Sequence, residues 1–147
     1  MAILTGPQML TLVLGVWRRT PLLRRLQAAR RLSGEAQHRE LISILQEFEQ
    51  TTRTGVRFVP TGAVQAARGA GNLSSHRIQY RVLQIETQVL QNTQTLLNEI
   101  THELPFYYTG IDNQDAFGES GIHTHEFLEM ILTDPAGEAG VMHFLSH

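Results

Sequence analysis

Apolar residues recur in steps of three and four across most turns from Ile78 to Ile100, through Val82, Ile85, Val89 and Leu96, and a second row, Leu83, Leu90, Leu97 and Leu104, repeats every seven. A period near 3.6 marks a helix with a buried side. The spacing predicts one long helix over about 76–103, capped by Ser74 or Ser75. The two rows make a face wider than a coiled-coil seam needs, which suits packing between two neighbours. Gln79, Gln84, Gln88, Gln91, Asn92 and Gln94 fill the rest, with few charges. Such a face suits a covering partner protein as well as solvent.

Helical spacing also runs before residue 54. Met9, Leu10, Leu12, Val13, Leu14, Val16 and Trp17 open a helix as early as Gln8. Thr20-Pro21 is an N-cap and first-position pair, so either a second helix starts there or one long helix kinks there. Leu22, Leu26 and Ala29 then form an apolar stripe with Arg24 and Arg31 opposite. Ser33, Gly34 and Glu35 make a break and cap, and Leu41, Ile42, Ile44, Leu45 and Phe48 predict a helix over roughly 35–53. These two elements are expected to pair as an antiparallel hairpin. Pro60 and four Gly within 54–75 predict a long irregular connection with a short helical turn at 63–68. After Pro105 the pattern collapses, apart from a helix over 123–132 ended by Asp134-Pro135. Phe106, Tyr107, Tyr108 and Phe117 lack local partners, so an extended tail that wraps a neighbour is expected. The expected fold is all-α: a three-helix bundle over 1–104, an antiparallel hairpin plus one long helix with a Gly-rich insertion at 54–75, followed by an extended interaction tail over 105–147.

Charge is strongly polarised along the chain. Six of the twelve Arg stand in three pairs, Arg18-Arg19, Arg24-Arg25 and Arg30-Arg31, with no acid before Glu35. Residues 1–34 therefore carry +6, and the remainder carries six Arg against fourteen acids, or −8. An all-Arg basic set favours bidentate recognition of carboxylate or phosphate. The same pairs also suit the solvated flanks of an amphipathic helix, or anionic lipid. An Arg-rich, acid-free N-terminus has the composition of a mitochondrial targeting segment. With no cysteine, the chain excludes disulfides, thiolate zinc sites, iron–sulfur ligation and a Cys nucleophile. The apolar run from Met9 to Trp17 is too short to span a bilayer.

One cluster has metal-ligand character. His123-Thr-His125, followed by Glu126 and Glu129, would present both imidazoles on one face of a strand, and HTHEFLE resembles the His-x-His-x(3)-Glu element of cupins, whose ligands bind a divalent metal. On a helix the two rings diverge. Ser120 near His123 lacks a G-x-S-x-G elbow, and RGAGNLSS lacks the Lys and the preceding strand of a phosphate loop. Nucleic-acid binding through the Arg pairs is disfavoured by the acidic balance after residue 34.

Residues 1–53 resemble the LYR-motif family of small mitochondrial three-helix proteins. Val16-Trp17-Arg18 stands where the family has Leu-Tyr-Arg, Leu22-Leu23-Arg24-Arg25-Leu26 follows, and Gln46-Glu47-Phe48 sits near the place of a Phe late in the second helix. The opening MAILTGPQMLT is similar to the start of an accessory subunit of respiratory complex I. The resemblance implies a non-catalytic subunit of a large respiratory-chain assembly, peripheral to the matrix side of the mitochondrial inner membrane and without a cofactor of its own. It implies that Trp17, Arg18, Arg19, Arg24 and Arg25 hold the acidic helix and phosphopantetheine phosphate of an acyl carrier protein. It further implies that Leu22, Leu26, Leu45 and Phe48 line a tunnel for the acyl chain.

Two other readings stand beside it. A Gln/Thr/Asn-rich helix with long tails suits homomeric packing in a virion neck or tail. Alternatively, His123, His125 and Glu129 serve a small metal-dependent enzyme.

Overall fold

The computed structural model of the chain describes residues 4–77, 80–111, 124–134 and 136–146. The fold divides into two compact units, one of residues 1–27 with 104–147 and the other of residues 28–103. The N-terminal helix and the C-terminal segment thus share a unit.

The first unit starts with α1 (Gly6–Arg19), which opens on a capping box. Thr5 Oγ1 accepts from the Gln8 N–H at 3.2 Å, and Gln8 Oε1 accepts from the Thr5 N–H at 2.9 Å. Two donors left over at the helix start are thereby satisfied. Leu12, Val13, Val16 and Trp17 give α1 its buried stripe. Thr20 leaves helical geometry just before Pro21, as a residue preceding proline is pushed to do. A separate helix, α2 (Pro21–Ala29), therefore begins at Pro21. Arg24 secures this junction. Its Nη1 donates to the carbonyls of Trp17 at 2.8 Å and Arg18 at 2.9 Å, capping the negative end of α1 with a cation.

The second unit holds α3 (Gly34–Thr52), β1 (Gly55–Val59), α4 (Ala63–Arg68), β2 (Ser74–Arg77), β3 (Val82–Glu86) and most of α5 (Thr93–Pro105). The strands form one mixed sheet in the order β1-β3-β2, with β1 parallel and β2 antiparallel to the central β3. Phe58 and Ser74 both lie in register with Ile85, and His76 with Leu83. Leu41, Ile44, Leu45 and Phe48 of α3, with Leu83, Ile85, Leu96 and Ile100, are buried.

The helix expected over 76–103 does not form as one element. Leu83 and Ile85 are buried while Val82 and Gln84 are only partly covered, the alternation of a strand. A 3-10 turn, Thr87–Gln91, follows. Asn92 then restarts the chain, its Oδ1 accepting from the Thr95 N–H at 3.0 Å as an N-cap. The all-α expectation is thus corrected to a mostly helical fold with a three-stranded sheet. Within the connection expected to be irregular, β1 and β2 form, and the short helical turn at 63–68 is α4.

Beyond α5 the described residues of the tail are helical rather than extended. Pro105 has no N–H to return to the preceding turn, and the backbone widens into a π-helix over Phe106–Ile111. Thr109 Oγ1 donates back to the Pro105 carbonyl at 2.7 Å. After it come α6 (His125–Thr133) and α7 (Gly137–Leu145). Both pack on α1 in the first unit. Phe117 lies outside the described residues.

Candidate functional site

The sheet's alternation sends Ser74 and His76 of β2 to one face. On α5, Glu99 and Glu103 stand one turn apart. Ser74 Oγ is 2.7 Å from Glu99 Oε1 and 3.0 Å from Glu103 Oε1. His76 Nδ1 meets the other oxygen of Glu103 at 2.6 Å, and the two side chains are 3% and 7% exposed. The Phe48 ring of α3 packs edge-on against His76, with centroids 6.2 Å apart. A hydroxyl, two carboxyl groups and an imidazole thus share a largely dry region of the second unit.

Burial pushes the Glu99 carboxyl above its ordinary value, and the charge of Glu103 adds to this, while the Ser74 hydrogen bond and His102 pull the other way. A carboxyl so raised suits proton transfer. One turn after Glu99 stands His102, its side chain 49% exposed and its Nε2 3.9 Å from Glu103 Oε1. Helix α5 therefore carries Glu-x-x-His, with the acid held inside and the imidazole reaching outward. Asn98 fills the preceding position, where the helical H-E-x-x-H arrangement has its first His, and its Oδ1 accepts from Gln94 Nε2 at 2.9 Å. Neither Glu99 nor His102 was among the candidates read from the sequence, where Asn98 stands in place of a first His.

A second buried carboxyl has a different task. Glu86 is fully buried and accepts from the N–H groups of Gly62, Val64 and Gln65 at 2.8, 2.9 and 2.9 Å, which anchors the start of α4. Gln65 Nε2 and Gln88 Nε2 donate to it as well. Burial acts to raise its pKa, but these hydrogen bonds outweigh burial and take it from 4.5 down to about 2. A permanently charged anchor of this kind is structural.

In the first unit, His125 Nδ1 lies 2.6 Å from Glu129 Oε2 across one turn of α6, and Phe106 packs edge-on against the His125 ring at 5.3 Å. Two of the three residues expected from the sequence as metal donors are therefore neighbours. His123 lies outside the described residues.

The residues expected to hold an acyl carrier protein are differently disposed. Trp17 is 7% exposed, part of a core rather than a surface. Arg24 caps α1, and Arg18 Nη2 lies 3.6 Å from Glu138 Oε1 of α7. Arg19 is exposed and Arg25 half-buried. Of the expected tunnel residues, Leu22 and Leu26 are buried in the first unit, and Leu45 and Phe48 in the second. Leu45 also borders a shallow groove with Ile42, Glu49, Val56 and Phe58. Among the described residues no helix is long and apolar enough to cross a membrane.

Compared with models of known families, with curated proteins and with solved structures, the chain has no significant match.

Proposed function

We propose that this chain is a hydrolytic enzyme in which Glu99 is the general base. The observation that carries this reading is the Glu99 carboxyl itself, raised by burial above its ordinary value and 2.7 Å from the Ser74 hydroxyl in the second unit. Glu99 takes a proton from water as it attacks a carbonyl carbon, then delivers that proton to the departing amine or alkoxide.

A non-catalytic subunit that docks an acyl carrier protein is the second reading, favoured by the +6 charge of residues 1–34 and the exposure of Arg19. It draws less support because Trp17 is buried and Arg24 is engaged with α1. One assay separates the two. A panel of fluorogenic peptides and esters is expected to include a substrate whose turnover falls at least about 100-fold in Glu99→Gln. An inert wild-type protein that co-purifies with an acyl carrier protein would favour the second reading instead.

A further inference from the structure

Residues that face one another across a sheet share one side of it. Gly55, Val82 and Arg77 form one such row, and Arg57, Gln84 and Ser75 the next on the same side, opposite the buried Leu83 and Ile85. Helix α4 covers the Glu86 end of this side, where that carboxylate anchors it. At the other end Arg57 and Arg77 are exposed. A Cβ at Gly55 would lie 3.2 Å from the Arg57 guanidinium carbon, so that cation lies over the row that also holds Arg77. Arg81, whose carbonyl accepts from the Gly55 N–H at 2.8 Å, stands just before β3, and Arg53 stands between α3 and β1. Neighbouring strands are only about 5 Å apart, so four guanidinium groups gather at one end of the sheet.

Two of the four hold a backbone that disfavours arginine. The φ angle is 58° at Arg53 and 50° at Arg81, left-handed positions that glycine or asparagine fills at less cost. Among the described residues Arg53, Arg77 and Arg81 make no ion pair, and Arg57 lies 3.3 Å from Glu49. Tyr80, next to Arg81 in the chain, is 64% exposed, and the Arg77 guanidinium carbon is 5.8 Å from its ring centroid. Guanidinium forks match phosphate, and an exposed ring beside them stacks a base. We propose that this end of the sheet binds single-stranded nucleic acid, with Arg53, Arg57, Arg77 and Arg81 on its phosphates and Tyr80 stacked on a base. The acidic excess after residue 34 does not oppose such a ligand, because it belongs to the other unit. Residues 28–103 hold eight Arg against seven Glu, and Glu86 and Glu103 are buried. A duplex hides its base faces from Tyr80, and a lipid surface calls for an apolar wedge that one tyrosine does not supply. Nothing here depends on Glu99.

The test is fluorescence anisotropy of the full chain with a labelled oligo-dT of about 12 nucleotides. Affinity is expected to fall with salt at a logarithmic slope of about −2 to −3, the value for three or four phosphates on a single strand. Arg77→Gln and Arg81→Gln should each weaken binding at least about 3-fold and flatten that slope by about 0.7. Tyr80→Ala should weaken it at least about 5-fold and leave the slope unchanged. All three side chains are exposed, so these variants keep the fold. Arg39→Gln, on α3 about 20 Å from Arg53, should bind as the wild type does. No binding at low salt, an equal loss in Arg39→Gln, or a preference for a duplex of the same length or for phosphatidylserine vesicles would overturn the proposal.

Discussion

Glu86 and Glu99 are both glutamates shielded by the same unit, yet their surroundings drive them in opposite directions. Three backbone N–H groups and two amide side chains converge on Glu86 and favour its charged form, whereas Glu99 receives one hydroxyl and faces another acid. The Glu86 contribution to stability has a defined pH window. Its folded pKa is depressed, so the stabilisation is complete above the unfolded value of 4.5 and is lost as pH falls toward about 2. Denaturant unfolding should therefore find Glu86→Gln less stable than wild type at pH 7, with the gap closing between pH 4.5 and 2. A gap that is constant across that range would contradict the anchoring role. Neither role was legible in the sequence, because Glu86 meets its donors from twenty or more residues away in the chain. Arg24 shows the same limit. It read as a surface cation for a partner, and only the turn between two helices reveals the carbonyls it caps.

Elements bounded by local chemistry could be read directly from the residues. Thr20-Pro21 divides α1 from α2, the Ser33-Gly34 break opens α3, and the turn expected at 63–68 is α4. The stretch after residue 76 could not be read that way. Val82, Leu83, Ile85 and Val89 satisfy a helical spacing and also a short strand followed by a tight turn, and pairing with β1 and β2 decides between them. The β1 side of that pairing lies 27 positions upstream, Gly55 facing Val82. The tail was misread for a different reason: α6 and α7 are short, and their packing on α1 supplies what their length does not. Gly137 tests that packing. A Cβ built there would run into the Met130 carbonyl oxygen and lie 2.8 Å from Ile131 Cα, so the start of α7 touches the backbone of α6. Gly137→Ala should destabilise the protein by about 1–3 kcal/mol, seen as a lowered thermal midpoint. An unchanged midpoint would mean the two helices do not meet as closely as described.

At the scale of the whole molecule, a basic first quarter and an acidic remainder suggested a docking protein, while the acids gathered at Ser74 suggest a catalyst. The His125–Glu129 pair was visible as residues, and their contact awaited the finding that the segment is a helix. Nothing in the local sequence marks Glu99, whose partner Ser74 lies 25 residues upstream. Turnover decides most directly between catalyst and docking protein. A panel of fluorogenic peptides and esters should include one that the wild type hydrolyses and that Glu99→Gln hydrolyses at least about 100-fold more slowly. A folded wild type that hydrolyses none of them, or a Glu99→Gln variant as active as the wild type, would contradict the account.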